Sequence, residues 1–357
     1  MKIVVLEKSW EPAYEQFLRG RPDSLFYASL KYRAFLKALL GCSDEYLVAV
    51  ENNEIHGALP LMKLEVEGGL IYNSLPYYGS NGGVTANTPE AACLLVEAYN
   101  QRATRSNVAA ATIVPNPFEP VVAGFVKSHE DTRIAQWIDL EPGDAEFDGF
   151  LARVDSSARR NVRKALSSNV IVARDATQMA ALRDIHRQNM VSIGGRAKSD
   201  AFFDLVPRCF EAGRDWDLYV ATHSGQVIAA LLLFYFNRTV EYFTPAVEES
   251  HRDLQALPLL IATAVGAAVR SGYTRWNWGA TWESQTGVDR FKKKWAGCEM
   301  RYTYSTYIHD PGLLTRTPAE LLERYPNFYV VPFRAIGNSP HPQPLSQAAR
   351  GETEAAA

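Results

Sequence analysis

A lysine flanked by aromatic residues lies in the segment Gly287–Gly297, which reads Gly-Val-Asp-Arg-Phe-Lys-Lys-Lys-Trp-Ala-Gly. Lys292 follows Phe291 and precedes Trp295, just past the end of a predicted strand. A lysine held between two aromatic side chains can offer a fixed positive charge to a phosphate or to a developing oxyanion. A solvated basic turn with two aromatic anchors is the simpler interpretation of the same residue types.

Three segments together resemble the motifs of one protein family. The Phe-Lys-x-x-aromatic-small-Gly pattern that begins at Phe291 is similar to the closing motif of the Fem peptidyltransferases and their acyltransferase relatives. Residues 156–165 are similar to the serine, arginine and lysine run that opens the second half of that family, and residues 272–279 resemble its strand before the lysine. Fem proteins carry two copies of the GNAT acetyltransferase fold, so the resemblance implies a double-GNAT chain.

The composition is that of a globular protein with two domains. The chain has 357 residues, of which 47% are hydrophobic and 22% are charged, enough for two sizeable cores. Its formal net charge of −3 provides no global basic field, so DNA is not an expected partner.

The cysteines and the apolar runs argue against two further classes of protein. Four cysteines are scattered without a Cys-x-x-Cys pair, so we expect reduced thiols and no metal site; they are Cys42, Cys93, Cys209 and Cys298. The start of the chain is charged too early for a signal peptide, and no apolar run reaches the ~18–20 residues that span a bilayer. We therefore expect a cytoplasmic protein, with peripheral membrane contact if its acceptor is lipid-linked.

An internal repeat supports the doubled fold independently of the resemblance. Residues 47–61 and 219–233 align without a gap, each as strand, polar turn and strand. A third strand, a helix and a closing strand follow in both halves, which is the core of the GNAT fold; two generic α+β domains with similar turns are the alternative. The predicted third strands are 69–72 and 239–243, the helices 88–102 and 258–270, and the closing strands 109–114 and 274–278.

The predicted fold class is therefore α/β (α+β), a tandem of two GNAT-like domains, each a mixed central sheet flanked by helices. Further helices are predicted over 24–40 and 176–189, and one or two helices over 146–166. Pro and Gly interrupt the pattern at 140–144, which places the domains at residues 1–142 and 143–333. A disordered tail is expected over residues 334–357.

The expected donor loop departs from the acetyl-coenzyme A pattern. GNAT enzymes bind the pyrophosphate of coenzyme A on a Gly-rich loop before a helix. Arg252 matches the first position of that loop, but Gln255 and Leu257 replace its small residues. Fem proteins likewise lack the loop and use aminoacyl-tRNA. We expect no tightly bound cofactor, and a donor that is either aminoacyl-tRNA or an acyl-coenzyme A or acyl carrier protein.

A loop in the first half offers a candidate substrate surface. Residues 73–83 are rich in glycine and in small hydrogen-bonding groups, and they include the candidates Tyr77, Tyr78, Gly79 and Asn81. A flexible turn would have the same composition.

The resemblance also implies roles in the second half. Lys292 takes the place of the family lysine near the reacting carbonyl, where it would stabilise the oxyanion. Tyr242 matches a tyrosine that contacts the acceptor, and Arg196 lies where the family has an acceptor-binding arginine. Trp278, on the strand before the lysine, is a further binding candidate. A core aromatic residue and a surface loop are the alternatives for Tyr242 and Arg196.

A basic cluster and three carboxylates complete the candidates. Arg159, Arg160, Arg163 and Lys164 lie on one predicted helix, which suggests an anionic partner such as tRNA, a lipid headgroup or a diphosphate; a solvated charged face is the simpler interpretation. The carboxylates nearest the motifs are Asp155, Glu283 and Asp289, and none is assigned as general base.

The leading hypothesis is an N-acyltransferase that transfers an acyl or aminoacyl group to an amine of a cell-envelope or polysaccharide precursor. Its partners would be a small-molecule, lipid-linked or nucleotide-linked amine as acceptor and tRNA as a candidate donor carrier. One alternative is an acyl-coenzyme A or acyl-carrier-protein enzyme that acts on a small-molecule amine. The other is a catalytically inactive GNAT-repeat binding protein.

Overall fold

The computed structural model describes residues 1–67, 69–77, 81–283, 285–295 and 297–336. Its strands are β1 (Lys2–Val5), β2 (Ser43–Asp44), β3 (Leu47–Glu51), β4 (Glu54–Leu59), β5 (Met62–Val66), β6 (Gly69–Asn73), β7 (Thr85–Ala86), β8 (Val108–Ile113), β9 (His129–Asp139), β10 (Ile171–Arg174), β11 (Trp216–His223), β12 (Gln226–Phe236), β13 (Thr239–Val247), β14 (Arg275–Trp282) and β15 (Cys298–Ile308). Its α-helices are α1 (Glu11–Arg19), α2 (Leu30–Leu40), α3 (Pro89–Ala103), α4 (Phe147–Arg153), α5 (Ser156–Ser167), α6 (Met179–Ser192), α7 (Asp200–Cys209), α8 (Ala256–Arg270), α9 (Thr286–Lys293) and α10 (Pro318–Arg324).

The chain divides into two compact units. Unit 1 comprises residues 1–133 together with 301–336, and unit 2 comprises residues 134–300. The predicted domains, 1–142 and 143–333, follow chain order, whereas the units follow packing. Residues 301–336 pack with unit 1 because the Asn73 side chain bonds the main chain of Tyr329 in both directions, at 2.7 Å each, and the Tyr329 hydroxyl bonds Asp131. The expected tail lies outside the described residues from position 337 onward.

Unit 2 is built on one mixed sheet with the strand order β10-β11-β12-β13-β14-β9. The strands β10 to β13 pair antiparallel, and β13 pairs with β14 in parallel. A parallel pair requires a crossover connection, which α8 supplies. α8 is apolar on almost every side and lies in the core with α4, α5 and one face of the sheet.

Unit 1 contains two sheets. One has the order β1-β3-β4-β7, and the other runs β2-β5-β6-β8-β15. The parallel pair β6 and β8 is joined through α3, as β13 and β14 are joined through α8. The tandem GNAT-like architecture predicted from the sequence is therefore present, with a mixed sheet and a crossover helix in each unit.

The two predicted hairpins are confirmed, with one difference between them. The turn residues Asn52, Asn53 and Ser224 have positive φ angles of 49°, 64° and 50°, as two-residue hairpin turns require. In unit 2 the second strand, β12, runs unbroken over eleven residues, with a register shift after Leu232. The aligned residue in unit 1 is Pro60, which has no N–H to donate, and there the strand ends. Its two pieces, β4 and β5, belong to different sheets.

The predicted helices are present with adjusted ends. Thr88 caps α3 by accepting the Ala91 N–H, and Ser29 caps α2, so the predicted helix 24–40 begins only after this residue. Gly272, at φ 85°, follows α8 at the predicted stop. The span 146–166 is two helices, α4 and α5. No helix in the described part of the chain combines the length and apolar character that crossing a bilayer requires.

Candidate functional site

Lys292 lies on a short helix, α9, and not in a turn. This helix follows β14. Val288, Phe291 and Lys292 are the buried residues of α9, and their spacing places them on one face. Phe291 and Trp295 lie with their rings 6.1 Å apart, and Trp295 stacks on Phe150 of α4. The aromatic anchors therefore turn the lysine inward, where it is only 5% exposed.

The Lys292 ammonium group is held by three oxygen atoms at the end of β14. Its Nζ donates to the Thr281 hydroxyl at 2.7 Å and to the carbonyl oxygens of Gly279 and Ala280 at 3.3 Å each. Burial disfavours the charged form and lowers the pKa of Lys292 to about 7, while Asp289 acts in the opposite direction. Near neutral pH this group can therefore either donate or accept a proton.

A directed chain of hydrogen bonds fixes the Thr281 hydroxyl beneath the lysine. Thr281 donates to Gln136 Oε1 at 2.9 Å, and Gln136 Nε2 donates to Asp289 Oδ1 at 2.8 Å. The carboxylate accepts from the amide nitrogen, so the amide oxygen faces Thr281 and receives its proton. The lone pairs of the Thr281 oxygen are thereby left for Lys292. Asp289 also pairs with Lys293, which is half-exposed.

The parallel strands β13 and β14 separate close to this lysine. They pair only over Thr239–Glu241 and Arg275–Asn277, although both strands continue for several residues. The last paired positions are tied by a hydrogen bond from Asn277 Nδ2 to Glu241 Oε2 at 2.9 Å. Beyond them, β14 presents the carbonyl groups of Gly279 and Ala280 that bind Lys292.

An aromatic cluster fills the core face of the separating strands, and we define it as Tyr242, Trp276, Trp278, Phe291 and Trp295. The Tyr242 and Trp278 rings lie 4.8 Å apart, and Trp278 is within 6.2 Å of the other three. The Tyr242 hydroxyl and the three indole N–H groups are buried and have no hydrogen-bond partner among the described residues. Burial also raises the pKa of Tyr242 far above its usual value. The cluster thus contains buried hydrogen-bond donors that have no acceptor among the described residues.

Arg252 lies on a different element from Lys292 and its hydrogen-bond partners. Arg252 lies in a 3-10 helix, Glu249–Leu254, and its guanidinium approaches Glu249 of the same turn at 3.8 Å. Gln255 follows in the left-handed conformation and begins α8 without a side-chain cap. The first residues of α8 are buried and include Pro258, which lacks an N–H. This helix start is a poor cradle for a pyrophosphate.

Arg196 lies in the exposed loop after α6. Two residues later the chain returns inward at Lys198, whose backbone N–H donates to His186 Nε2 at 3.2 Å. The Lys198 ammonium lies over the rings of Phe202 and Phe243, at 5.7 Å and 5.4 Å. Burial lowers the pKa of Lys198 to about 7 and that of His186 to about 3, with Lys198 a second cause for the histidine.

In unit 1 the candidate loop fills the place next to the parallel strands. Ser74 bonds the main chain of Val114 through its hydroxyl, and Gly82 bonds the Val114 carbonyl at 2.8 Å. Asn81 is buried and donates both amide protons, to the Pro115 carbonyl and the Tyr302 hydroxyl. Tyr77 is half-buried, with φ 82°. The substrate-binding roles of Tyr77 and Asn81 stay predictions. Tyr78 and Gly79 lie outside the described residues.

The structure thus brings together some sequence-predicted residues and not others. Lys292, Trp278 and Tyr242 share the core of unit 2, and Arg159 lies half-buried on the nearby helix α5. Arg196 and Arg252 lie elsewhere in the same unit. Sequence reasoning missed Thr281 and Gln136. A threonine and a glutamine in strands carry no signal by themselves, although Thr281 falls shortly before the lysine motif.

Comparisons with known proteins agree with this fold. Residues 152–293 match the family model of the acetyltransferase (GNAT) domain. The solved structure of FemX is 15% identical and aligns with a TM-score of 0.68 over 88% of this chain and 98% of FemX. The C-terminal domain of a putative lysylphosphatidylglycerol synthetase from Agrobacterium fabrum aligns at 0.52, with 10% identity over 88% of this chain and 96% of that domain.

A conserved protein of unknown function from Bacteroides thetaiotaomicron also aligns, with a TM-score of 0.54 and 10% identity over 86% of this chain and 99% of that protein. No curated protein matches the sequence. At these identities the likeness to solved structures establishes the fold alone. The substrate has to be inferred from the site.

Proposed function

We propose that this protein, a GNAT superfamily member with a Fem-like fold, transfers an acyl or aminoacyl group to an amine of a cell-envelope or polysaccharide precursor. The observation that carries the proposal is the placement of Lys292, whose ammonium group is bound to β14 where that strand has separated from β13. Strands that stop pairing next to a buried cation would let an extended donor lie between them and would offer a charge to its carbonyl oxygen.

The chemistry follows from these groups. The acceptor amine attacks the donor carbonyl carbon, a C–N bond forms, and negative charge develops on the carbonyl oxygen. Lys292 keeps its short bond to Thr281 and exchanges one long carbonyl bond for this oxygen. The C–O or C–S bond to the leaving group then breaks, and the proton from the amine passes to that leaving group. With a pKa of about 7, the charged Lys292 can give one of its protons to the leaving group and then take up the proton of the amine.

Two observations bear on the donor. The buried, proline-containing start of α8 offers few free N–H groups to a pyrophosphate, which favours aminoacyl-tRNA over acyl-coenzyme A. Among the described residues, the indole N–H groups and the Tyr242 hydroxyl of the aromatic cluster have no hydrogen-bond partner. They suit an acyl donor whose oxygen atoms can accept hydrogen bonds.

The test is an amide-formation assay read by mass spectrometry. Wild-type protein would be incubated with charged tRNA, or with acetyl- and longer acyl-coenzyme A, each with nucleotide-linked and lipid-linked amino sugars. We expect an amide product with charged tRNA as donor, reduced roughly 10²–10³-fold by Lys292→Met. Lys293→Met is the matched control, because it removes the same charge from the adjacent, half-exposed position.

Full activity of Lys292→Met would refute the assigned role of this lysine. Product formed only with coenzyme A thioesters would refute the tRNA donor and support the alternative enzyme. If no donor yields an amide with any acceptor, the proposed transfer is wrong.

A further inference from the structure

Helix α5 carries a concentration of positive charge. Its twelve residues include four cations and no acid. Within the described residues none of the four forms an ion pair, and we call them the basic face: Arg159, Arg160, Arg163 and Lys164. Elsewhere in unit 2, Arg183, Arg187 and Arg214 are each paired with a carboxylate. The unpaired set is unusual in a chain whose formal net charge is −3.

The helix points this charge outward. Ala158, Val162 and Ala165 are its buried residues and define the inner side. Arg160, Arg163 and Lys164 are exposed on the outer side.

Exposed aliphatic side chains adjoin the basic face. Leu166 lies three residues after Arg163 and seven after Arg159, hence on the same flank, and it is 48% exposed. The helix then closes with a tight turn in which the Val170 N–H bonds the Ala165 carbonyl at 3.1 Å. Ile171, the next residue, opens the edge strand β10 and is 67% exposed. Two aliphatic residues next to unpaired cations match a bilayer interface, where phosphates meet the cations and acyl chains meet the aliphatic groups.

A nucleic acid fits this surface less well. Single-stranded nucleic acids gain affinity from aromatic side chains on which bases stack, and α5 contains none. Leucine and isoleucine would gain little from a phosphodiester backbone. The composition of the surface therefore favours lipid over tRNA.

The start of α5 is joined to the segment that carries Lys292. The N–H of Asp155, the cap of α5, donates to the Lys294 carbonyl at 2.8 Å. A surface that binds the basic face would therefore lie beside the turn that follows α9. We propose that the basic face, with Leu166 and Ile171, docks this protein on an anionic lipid surface. The docking stands by itself; that it presents a lipid-linked acceptor to Lys292 rests on the proposed function.

The test is co-sedimentation of the purified full chain with phosphatidylcholine vesicles, with and without phosphatidylglycerol. We expect binding only to the anionic vesicles, weakened by added salt. Combining Arg160→Ala, Arg163→Ala and Lys164→Ala should lower the affinity roughly 100-fold, because each cation near an anionic surface contributes about fivefold. The matched control combines Arg183→Ala, Arg187→Ala and Arg214→Ala, which removes the same charge from ion-paired positions and should leave binding within about twofold.

A second variant separates lipid from nucleic acid. Leu166→Ser with Ile171→Thr should weaken vesicle binding while leaving any tRNA binding unchanged. Circular dichroism and the melting temperature would establish that each variant is folded. Equal binding to neutral and anionic vesicles, an equal loss in the control, or salt-dependent binding of tRNA without binding of anionic vesicles would each overturn the proposal. Lys292→Met should still bind vesicles, so a failure of the proposed chemistry would not be mistaken for a failure of docking.

Discussion

Replacing Thr281 with valine should change the ionisation of Lys292. The substitution keeps the branched shape of the side chain and removes the hydroxyl that accepts the shortest bond from Nζ, at 2.7 Å. A hydrogen bond to a charged group contributes about 1.5–3 kcal/mol, and one pKa unit corresponds to about 1.4 kcal/mol. Loss of this acceptor from the charged form should therefore lower the pKa of Lys292 from about 7 to roughly 5–6.

The pKa can be measured without knowing the substrate. Isotope-labelled lysine side chains would be followed by NMR as a function of pH, and the Lys292 signal would be assigned by its absence in Lys292→Met. Thr281→Ser is the control, because it retains a hydroxyl and should keep the pKa close to that of the wild type. The activity of Thr281→Val should then reach its maximum at a lower pH than that of the wild type.

Two results would refute this reasoning. If Thr281→Val and wild type titrate together, the hydroxyl does not stabilise the charged form. If Lys292 in the wild type titrates near the ordinary lysine value of 10.5, the ammonium group is solvated and the buried arrangement is wrong.

Three further outcomes are expected. Gln136→Leu should lower the pKa of Lys292 by less than Thr281→Val does and add nothing in the Thr281→Val background; additive effects in the same NMR titration would show that Gln136 does not act through the hydroxyl. Tyr242→Phe removes a buried hydroxyl that has no partner among the described residues, so its melting temperature should stay equal or rise while amide formation falls; a drop of several degrees would reveal a missing partner. For Lys198, the folded-state pKa of about 7 lies below the unfolded value of 10.5, so the unfolded chain binds the extra proton in that window and the wild type gains stability as pH rises through it. Lys198→Met removes the buried charge and should therefore stabilise the protein by roughly 2.5 kcal/mol more at pH 6.5 than at pH 9 in urea unfolding; a constant difference would contradict the burial of the charge.

Elements encoded by short stretches could be predicted from the sequence. Hairpin turns depend on residues such as Asn52 and Asn53, which tolerate positive φ angles, and the end of α8 depends on Gly272. The effect of Pro60 was harder to foresee. A missing N–H ends a strand, but which sheet receives each piece depends on distant partners, since β5 pairs with β6 and β2 while β4 pairs with β3 and β7.

The candidate site also has residues that could be predicted from the sequence and residues that could not. Lys292 could be singled out because its aromatic neighbours are close to it in sequence. Gln136 could not be singled out, because its partner Thr281 is 145 positions away and the role of its amide depends on that contact. The packing of residues 301–336 with unit 1 was missed for this reason too, as Asn73 and Tyr329 are 256 positions apart.

The interleaving of the two units has a consequence for synthesis on the ribosome. Among the described residues unit 2 is contiguous, so residues 134–300 emerge before the segment 301–336 that belongs to unit 1. Domains generally fold as units while the chain is being made. The second unit in sequence should therefore be the first to complete its structure, while residues 1–133 wait with strand edges and apolar surface unpaired. Slow translation between 300 and 336 would prolong this interval, in which the N-terminal segment is most exposed to chaperones and to aggregation.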